Sequence, residues 1–354
     1  MDLFVILGSF VPLMVCLCWL FIFILNYKKN DQPKHILTVF LAVCSVLYFC
    51  HGIYFNLGLP DWMEAMWAAC SLSVFPLYCI YICSLTGNAM GRRQMMFVLL
   101  PGIIVALAKL FFPGDVSDTA RKILFAVQVI WVCFYGYGKL QAFDKELANV
   151  YADTEGRDMT AVKHLLIFFV LTSMLSTTVN IIGKHYFALH SWMMLIVMVP
   201  FAVLLFMLSY IGFVRDFTIE QYVEDKSGEL SEAEMESGVE TLDTINELAQ
   251  RIDALMTDEQ FYLQKNLKIG DVAKRLSVCR TYISNCINKT NGCSFSDYVN
   301  FQRIEYAKQQ MKESPEMKMI VIAENAGFSS EQSFYRNLKK FTGMTPTKWM
   351  EEEG

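Results

Sequence analysis

Seven apolar stretches fill the first 215 residues of this 354-residue chain, at roughly 3–25, 36–57, 63–85, 95–112, 123–138, 165–182 and 192–214. Each comes close to the ~20 residues an α-helix needs to cross the hydrocarbon of a bilayer. In that medium a backbone can satisfy its own N–H and C=O groups only as a helix or a closed barrel. The N-terminal part is therefore expected to be a bundle of seven membrane-spanning helices. The fifth stretch is short and can be extended to Phe143. Hydrophobic residues make up 54% of the chain, which excludes a purely water-soluble protein. Pro12, Pro76, Pro101 and Pro200 fall inside the stretches, where neighbouring helices can take up the freed carbonyls.

Basic residues set the direction of insertion. With the N-terminus outside, the inner loops and the residue after the last helix hold Lys28, Lys29, Lys34, Arg92, Arg93, Lys139, Lys145, Arg157, Lys163 and Arg215. The outer loops hold only Arg121, Lys122 and Lys184, so the C-terminus is expected in the cytoplasm of a multi-pass protein of the cytoplasmic membrane. Asp2 and the lack of a basic n-region or a small-residue cleavage site mark the first stretch as a retained helix. Among the few polar residues within the spans, His51, Asn56, Glu64 and Lys109 fall toward the outer half. They form a candidate pocket for an unknown small-molecule or lipid signal. The competing reading is an interfacial aromatic belt with Lys109 snorkelling to the headgroups.

From 216 to 264 the chain turns acidic, with fourteen Asp and Glu against Lys226 and Arg251. Residues 216–240 have the character of a solvated linker punctuated by Ser227-Gly228 and Ser237-Gly238. Leu242, Ile245, Ala249, Ile252 and Met256 then follow 3-4-3-4 spacing. That stripe suits a first helix packing on the domain that follows, or the seam of a homodimer.

The C-terminal part carries a repeated pattern. Apolar residues at Ile322, Ala323 and Ala326, and then at Phe334, Leu338 and Phe341, are at helical spacing on both sides of Gly327. Gly327 suits a left-handed turn, Phe328 can fill the space between two helices, and Ser329 or Ser330 can cap the second helix. That is a helix-turn-helix, over about 319–341. Val272-Ala273 and Ile283 give an earlier copy over about 268–289. A long helical pattern from Phe295 to Ala307 separates the two. Between Lys265 and Met350 fourteen Lys and Arg face seven acids, a surplus suited to DNA phosphates.

Residues from about 246 to 350 resemble the DNA-binding domain of the AraC/XylS family of transcription regulators. The likeness rests on the tandem units, on Arg303-Ile304-Glu305-Tyr306-Ala307, on Ile322-Ala323 with Gly327-Phe328, and on Gly343-Met344-Thr345-Pro346. It implies base contacts from Thr281, Ser284 and Asn285 on the first recognition helix and from Glu331, Gln332, Tyr335 and Arg336 on the second. Chemically, Arg336 suits guanine, Gln332 and Asn285 suit adenine, and Glu331 can accept from cytosine. Arg280, Lys289, Lys339 and Lys340 are placed for phosphates, which position without specifying. Two positions depart from the family pattern: Cys279 stands where a serine cap is usual, and Leu338 where phenylalanine is.

No catalytic or metal-binding constellation appears in the sequence, and no cofactor is expected. The expected architecture is all-α: a seven-helix membrane domain (1–215), an acidic linker (216–240) and an AraC-type domain (241–354). The expected partners are the lipid bilayer, double-stranded promoter DNA and RNA polymerase. Two alternatives for the first 215 residues stay open, a plain anchor and an independent transporter or receptor module.

Overall fold

The computed structural model describes residues 3–27, 31–57, 60–111, 115–182, 192–215, 222 and 242–353. Among these, the regular structure is helical apart from one isolated antiparallel bridge between Tyr151 and Lys268. The chain divides into two compact units: Met1–Gln141 with Met159–Ile219, and Ala142–Asp158 with Glu220–Gly354.

The first unit is built from α1 (Leu3–Leu25), α2 (Gln32–Leu57), α3 (Asp61–Leu85), α4 (Arg92–Phe111), the start of α5 (Asp115–Val150), α6 (Thr160–Ile182) and α7 (Met193–Val214). All seven apolar stretches lie on helices, but α5 is 36 residues long and overruns the stretch at both ends. Five spans are both long and apolar enough to cross a bilayer: Gln32–Ile53, Trp62–Leu85, Asp118–Val150, Thr160–Thr178 and Leu195–Val214. The described apolar run of α1, Phe10–Leu25, is shorter, and α4 is not among the five. Among the described residues, length and composition mark five candidate crossings, and the seven expected from the sequence are not established.

Aromatic side chains fill the interior of this unit. Phe75 stacks on Phe169 with ring centroids 4.4 Å apart, and Tyr78 meets the same ring edge-on at 5.0 Å. Large apolar side chains also point outward, among them Phe21, Phe97, Ile130, Phe134, Leu171 and Phe206. An outer surface of that kind is foreign to a water-soluble bundle.

The second unit takes the last turns of α5, the segment Tyr151–Asp158, Tyr222, and the helices α8 (Leu242–Asp258), α9 (Ile269–Leu276), α10 (Arg280–Asn291), α11 (Phe295–Glu313), α12 (Met319–Asn325), α13 (Glu331–Thr342) and α14 (Pro346–Glu353). A short 3₁₀ turn, Phe261–Leu263, joins α8 to the rest. Two cores are strung along α11. Its first half supplies Phe295, Tyr298 and Val299 to a core with Val272, Ala273, Ile283 and Ile287. Its second half supplies Ile304, Ala307 and Met311 to a core with Ile322, Ala323, Phe328, Phe334 and Leu338.

The stripe on α8 is consumed inside the unit. Ile252 and Met256 are buried in the first core, with Ile245 and Ala249 packed against it. A dimer seam along that stripe would have to break this packing. Residues 216–221 and 223–241 lie outside the described residues, and the acidic linker falls there except for Tyr222. That tyrosine is buried, and its hydroxyl donates to Glu146 on α5 at 2.7 Å.

Candidate nucleic-acid interface

Each helix pair is closed by a turn that its residues dictate. In the second pair, Gly327 has φ +83°, and a Cβ there would meet the Leu263 carbonyl oxygen at 2.5 Å. Only glycine meets both demands. Phe328 is fully buried beside it. Ser330 caps α13 by accepting from the Ser333 amide at 3.0 Å. In the first pair Cys279 sits at the N-cap of α10 and its side chain makes no cap bond, as its departure from the family serine implies.

The buried guanidinium of Arg303 ties the two pairs together. Nε donates to the Tyr262 carbonyl and an Nη to the Gln264 carbonyl, both at 2.7 Å, and the group lies over the Phe328 ring. Burial, partly offset by the charge of Asp153, lowers its pKa to about 10, so it stays charged at neutral pH. The motif containing Arg303 was visible in the sequence, but this bracing role was not.

The residues singled out for DNA occupy the outer faces of α10 and α13. Thr281, Asn285, Lys289, Gln332, Tyr335, Arg336, Lys339 and Lys340 are exposed, while Arg280, Ser284 and Glu331 are half-buried. Some are already engaged. The Tyr335 hydroxyl bonds Glu331, and that bond, with burial, pushes the phenol up to about 12. Lys340 pairs with Asp297 on α11 at 2.5 Å.

A segment more than a hundred residues upstream shares this surface. The Ala152 amide donates to the Leu267 carbonyl beside the first pair at 3.0 Å. Its carbonyl accepts from Ser296 at 2.7 Å and Asn300 at 2.8 Å on α11. Next in sequence, the Asp153 carboxylate reaches the start of α13, accepting from the Ser329 amide at 3.3 Å, the Ser329 hydroxyl and the Ser333 hydroxyl at 3.0 Å. Glu155 accepts from the Ser330 hydroxyl. Arg336 lies 3.9 Å from Asp153 and 3.6 Å from Asp158. Burial alone would raise the Asp153 pKa. The bonds from Ser329, the Glu155 amide and Ser333 outweigh it and hold the carboxyl below its usual range. Sequence reading missed these acids, because nothing in their spacing links them to α13.

In the first unit, the four residues expected to share a pocket do not all face one cavity. His51 lines a cavity of about 120 Å³ with Tyr48, Trp67, Phe75, Arg121 and Phe169. Lys109 is not among the lining residues and pairs with Glu64 at 3.0 Å and Asp118 at 2.6 Å, and Asp118 in turn lies 3.8 Å from Arg121 of the wall. The side chain of Asn56 lies outside the described residues. Arg121, which the sequence reading placed in a loop, is buried with its guanidinium 4.5 Å from the Trp67 ring.

Two helix-turn-helix units on one shared helix, each presenting a polar second helix, define a DNA-binding domain of the helix-turn-helix class. Comparison with known proteins agrees, since residues 272–352 match the family described as "Helix-turn-helix domain". The chain is 31% identical over 91 residues to the probable transcription factor PqrA of Proteus vulgaris, covering 25% of this chain and 74% of that protein. It is 28% identical over 87 residues to the Msm operon regulatory protein of Streptococcus mutans, covering 25% of this chain and 31% of that one. It is also 32% identical over 90 residues to the uncharacterized HTH-type transcriptional regulator YtdP of Bacillus subtilis, covering 25% and 12%. Through its C-terminal domain the chain belongs to the AraC-type helix-turn-helix transcription regulators. It spans a third or less of the Streptococcus and Bacillus relatives, and each of the three likenesses covers 25% of this chain. No solved structure matches the chain.

Proposed function

We propose that the protein is a membrane-embedded, sequence-specific transcription regulator that binds promoter DNA through α10 and α13 on the cytoplasmic side. The observation that carries the reading is the pair of helix-turn-helix heads braced by Arg303, the second turned at Gly327 and capped by Ser330, with Gln332, Tyr335 and Arg336 exposed on α13. The proposed base readers are Thr281, Ser284, Asn285, Glu331, Gln332, Tyr335 and Arg336, and the proposed phosphate contacts are Arg280, Lys289, Lys339 and Lys340. The outward apolar surface of the first unit and its five long apolar spans favour residence in a bilayer. The His51 and Arg121 cavity favours a signal received there over a plain anchor, because an anchor needs neither a cavity nor a buried guanidinium. The test is genome-wide mapping of DNA bound by the tagged full chain in native membranes, with Arg336→Ala alongside. Discrete promoter peaks that vanish in the variant are expected. A flat profile for the wild type would sink the reading.

A further inference from the structure

The acids of Tyr151–Asp158 sit where DNA would have to sit. The N-terminal end of a recognition helix carries free amides and the positive end of the helix dipole, and such ends hold phosphates in protein–DNA complexes. Here that end is taken by Asp153 on Ser329 and Ser333 and by Glu155 on Ser330. Arg336, the residue best suited to guanine, faces Asp153 and Asp158. Three carboxylates thus replace the phosphate and base acceptors of a duplex at the same donors. The segment is also seated on the first head, through the bridge between Tyr151 and Lys268, and on α11 through Ser296 and Asn300. It therefore also spans the two heads that a duplex must address together.

We propose that Tyr151–Asp158 is an autoinhibitory latch, a DNA-mimicking acidic strap that must leave the start of α13 before the second head can enter a major groove. This rests on the DNA-binding reading above and specifies how that site is regulated. The latched and DNA-bound states compete for the same donors. The measured affinity is then the intrinsic affinity reduced by the fraction of molecules unlatched.

The test uses the full chain in lipid nanodiscs and two probes: a random-sequence duplex of about 40 base pairs, and duplexes that the wild-type chain enriches from a random pool. Asp153→Asn keeps the shape but removes the charge, and Glu155→Gln with Asp158→Asn alters only the outer rim of the strap. Both variants are expected to bind both probes more tightly, by about tenfold for Asp153→Asn and about threefold for the double variant. As a readout that needs no variant, hydrogen exchange at the Ala152 and Glu155 amides of the wild type should speed up when duplex is added. Unchanged or weaker binding in both variants, or exchange at those amides unaffected by bound DNA, overturns the latch and leaves the DNA-binding reading standing. Absence of DNA binding by the wild type and by both variants overturns the reading and the latch with it.

Discussion

Replacing Arg336 with alanine separates base reading from everything else this side chain touches. A well-placed bidentate contact to guanine is worth about 1–3 kcal/mol of discrimination, or about 5- to 150-fold in affinity. Arg336 also faces Asp153 and Asp158 at 3.9 and 3.6 Å, with half of its side chain exposed. Asp153 is buried, but with Arg336 half-exposed and the separations this long, each pair is worth about 0.2–1 kcal/mol. The variant therefore loses a base contact and, at the same time, loosens the strap. On the enriched duplex the two effects oppose, and the net loss falls short of the base term. On random duplex only the second effect operates, so binding tightens slightly. The quotient of the two dissociation constants cancels the strap, and it should fall by the full 5- to 150-fold. Fluorescence anisotropy of the full chain in nanodiscs measures both constants, at one fixed salt concentration because phosphate contacts make each of them salt-dependent. An equal loss on both duplexes, leaving the quotient unchanged, would refute base reading by Arg336 and make it a phosphate contact.

Three further perturbations test the scaffold and the strap. Gly327→Ala meets a left-handed backbone and the Leu263 carbonyl, and should cost about 2 kcal/mol or more, whereas Gly343→Ala, with φ +77° but open space, should cost only the ~1–2 kcal/mol of the backbone term. Denaturant-dependent exchange of the α12 and α13 amides orders the two, and a reversed order disproves the contact argument. Ser330→Ala should lose about 1 kcal/mol of cap, and Cys279→Ser should gain about 0.5–1 kcal/mol in α10, read as a shift in local exchange protection. The groups facing Asp153 are Ser329, Ser333, Arg336 and the buried Arg303, with Arg157 donating to its backbone carbonyl. A carboxyl held below its ordinary value stabilises the latched state above that value and stops doing so as pH falls through the lowered one. The affinity gap between wild type and Asp153→Asn should stay constant from about pH 6 to 8 and close only in acid, and a gap that shrinks near neutrality would point to another group.

What could be read in advance follows the physics of each signal. Ile322, Ala323, Phe334 and Leu338 announced the second head because 3.6-residue periodicity is a local property, and Gly327 because its backbone demand is local too. The core placed these four side chains as that spacing required. The stripe from Leu242 to Met256 left two outcomes open, since a helix's apolar face does not name what covers it; the first core covers it here. Lys109 was legible as a costly charge, but its pairing with Glu64 and Asp118 depends on how α3, α4 and α5 come together. Asp153 was the least legible of all. It lies in a short irregular segment and its partners lie some 176 residues on, a separation that no periodic pattern records.

The same segment bears on how a signal could reach the DNA-binding heads. A flexible tether would fix how often a head is near DNA but transmit direction poorly, because such a chain forgets its orientation within a few residues, and the acidic composition of 216–240 is that of a tether. Tyr151–Asp158 differs in kind. It is continuous with α5 on one side and α6 on the other, it is eight residues long, and it is fastened to the heads by directed hydrogen bonds from both side chains and backbone. A shift or rotation of the ends of α5 and α6 has little slack in which to dissipate before it reaches Asp153. The latch proposed above predicts that a change in how those two helices pack is read at α13 through this segment. Lengthening Tyr151–Asp158 with a flexible glycine-serine insert after Gly156 should then abolish any response to signal while leaving DNA binding intact, and the same insert placed in the linker should leave the response unchanged. A response lost with the linker insert and kept with the strap insert would assign transmission to the linker.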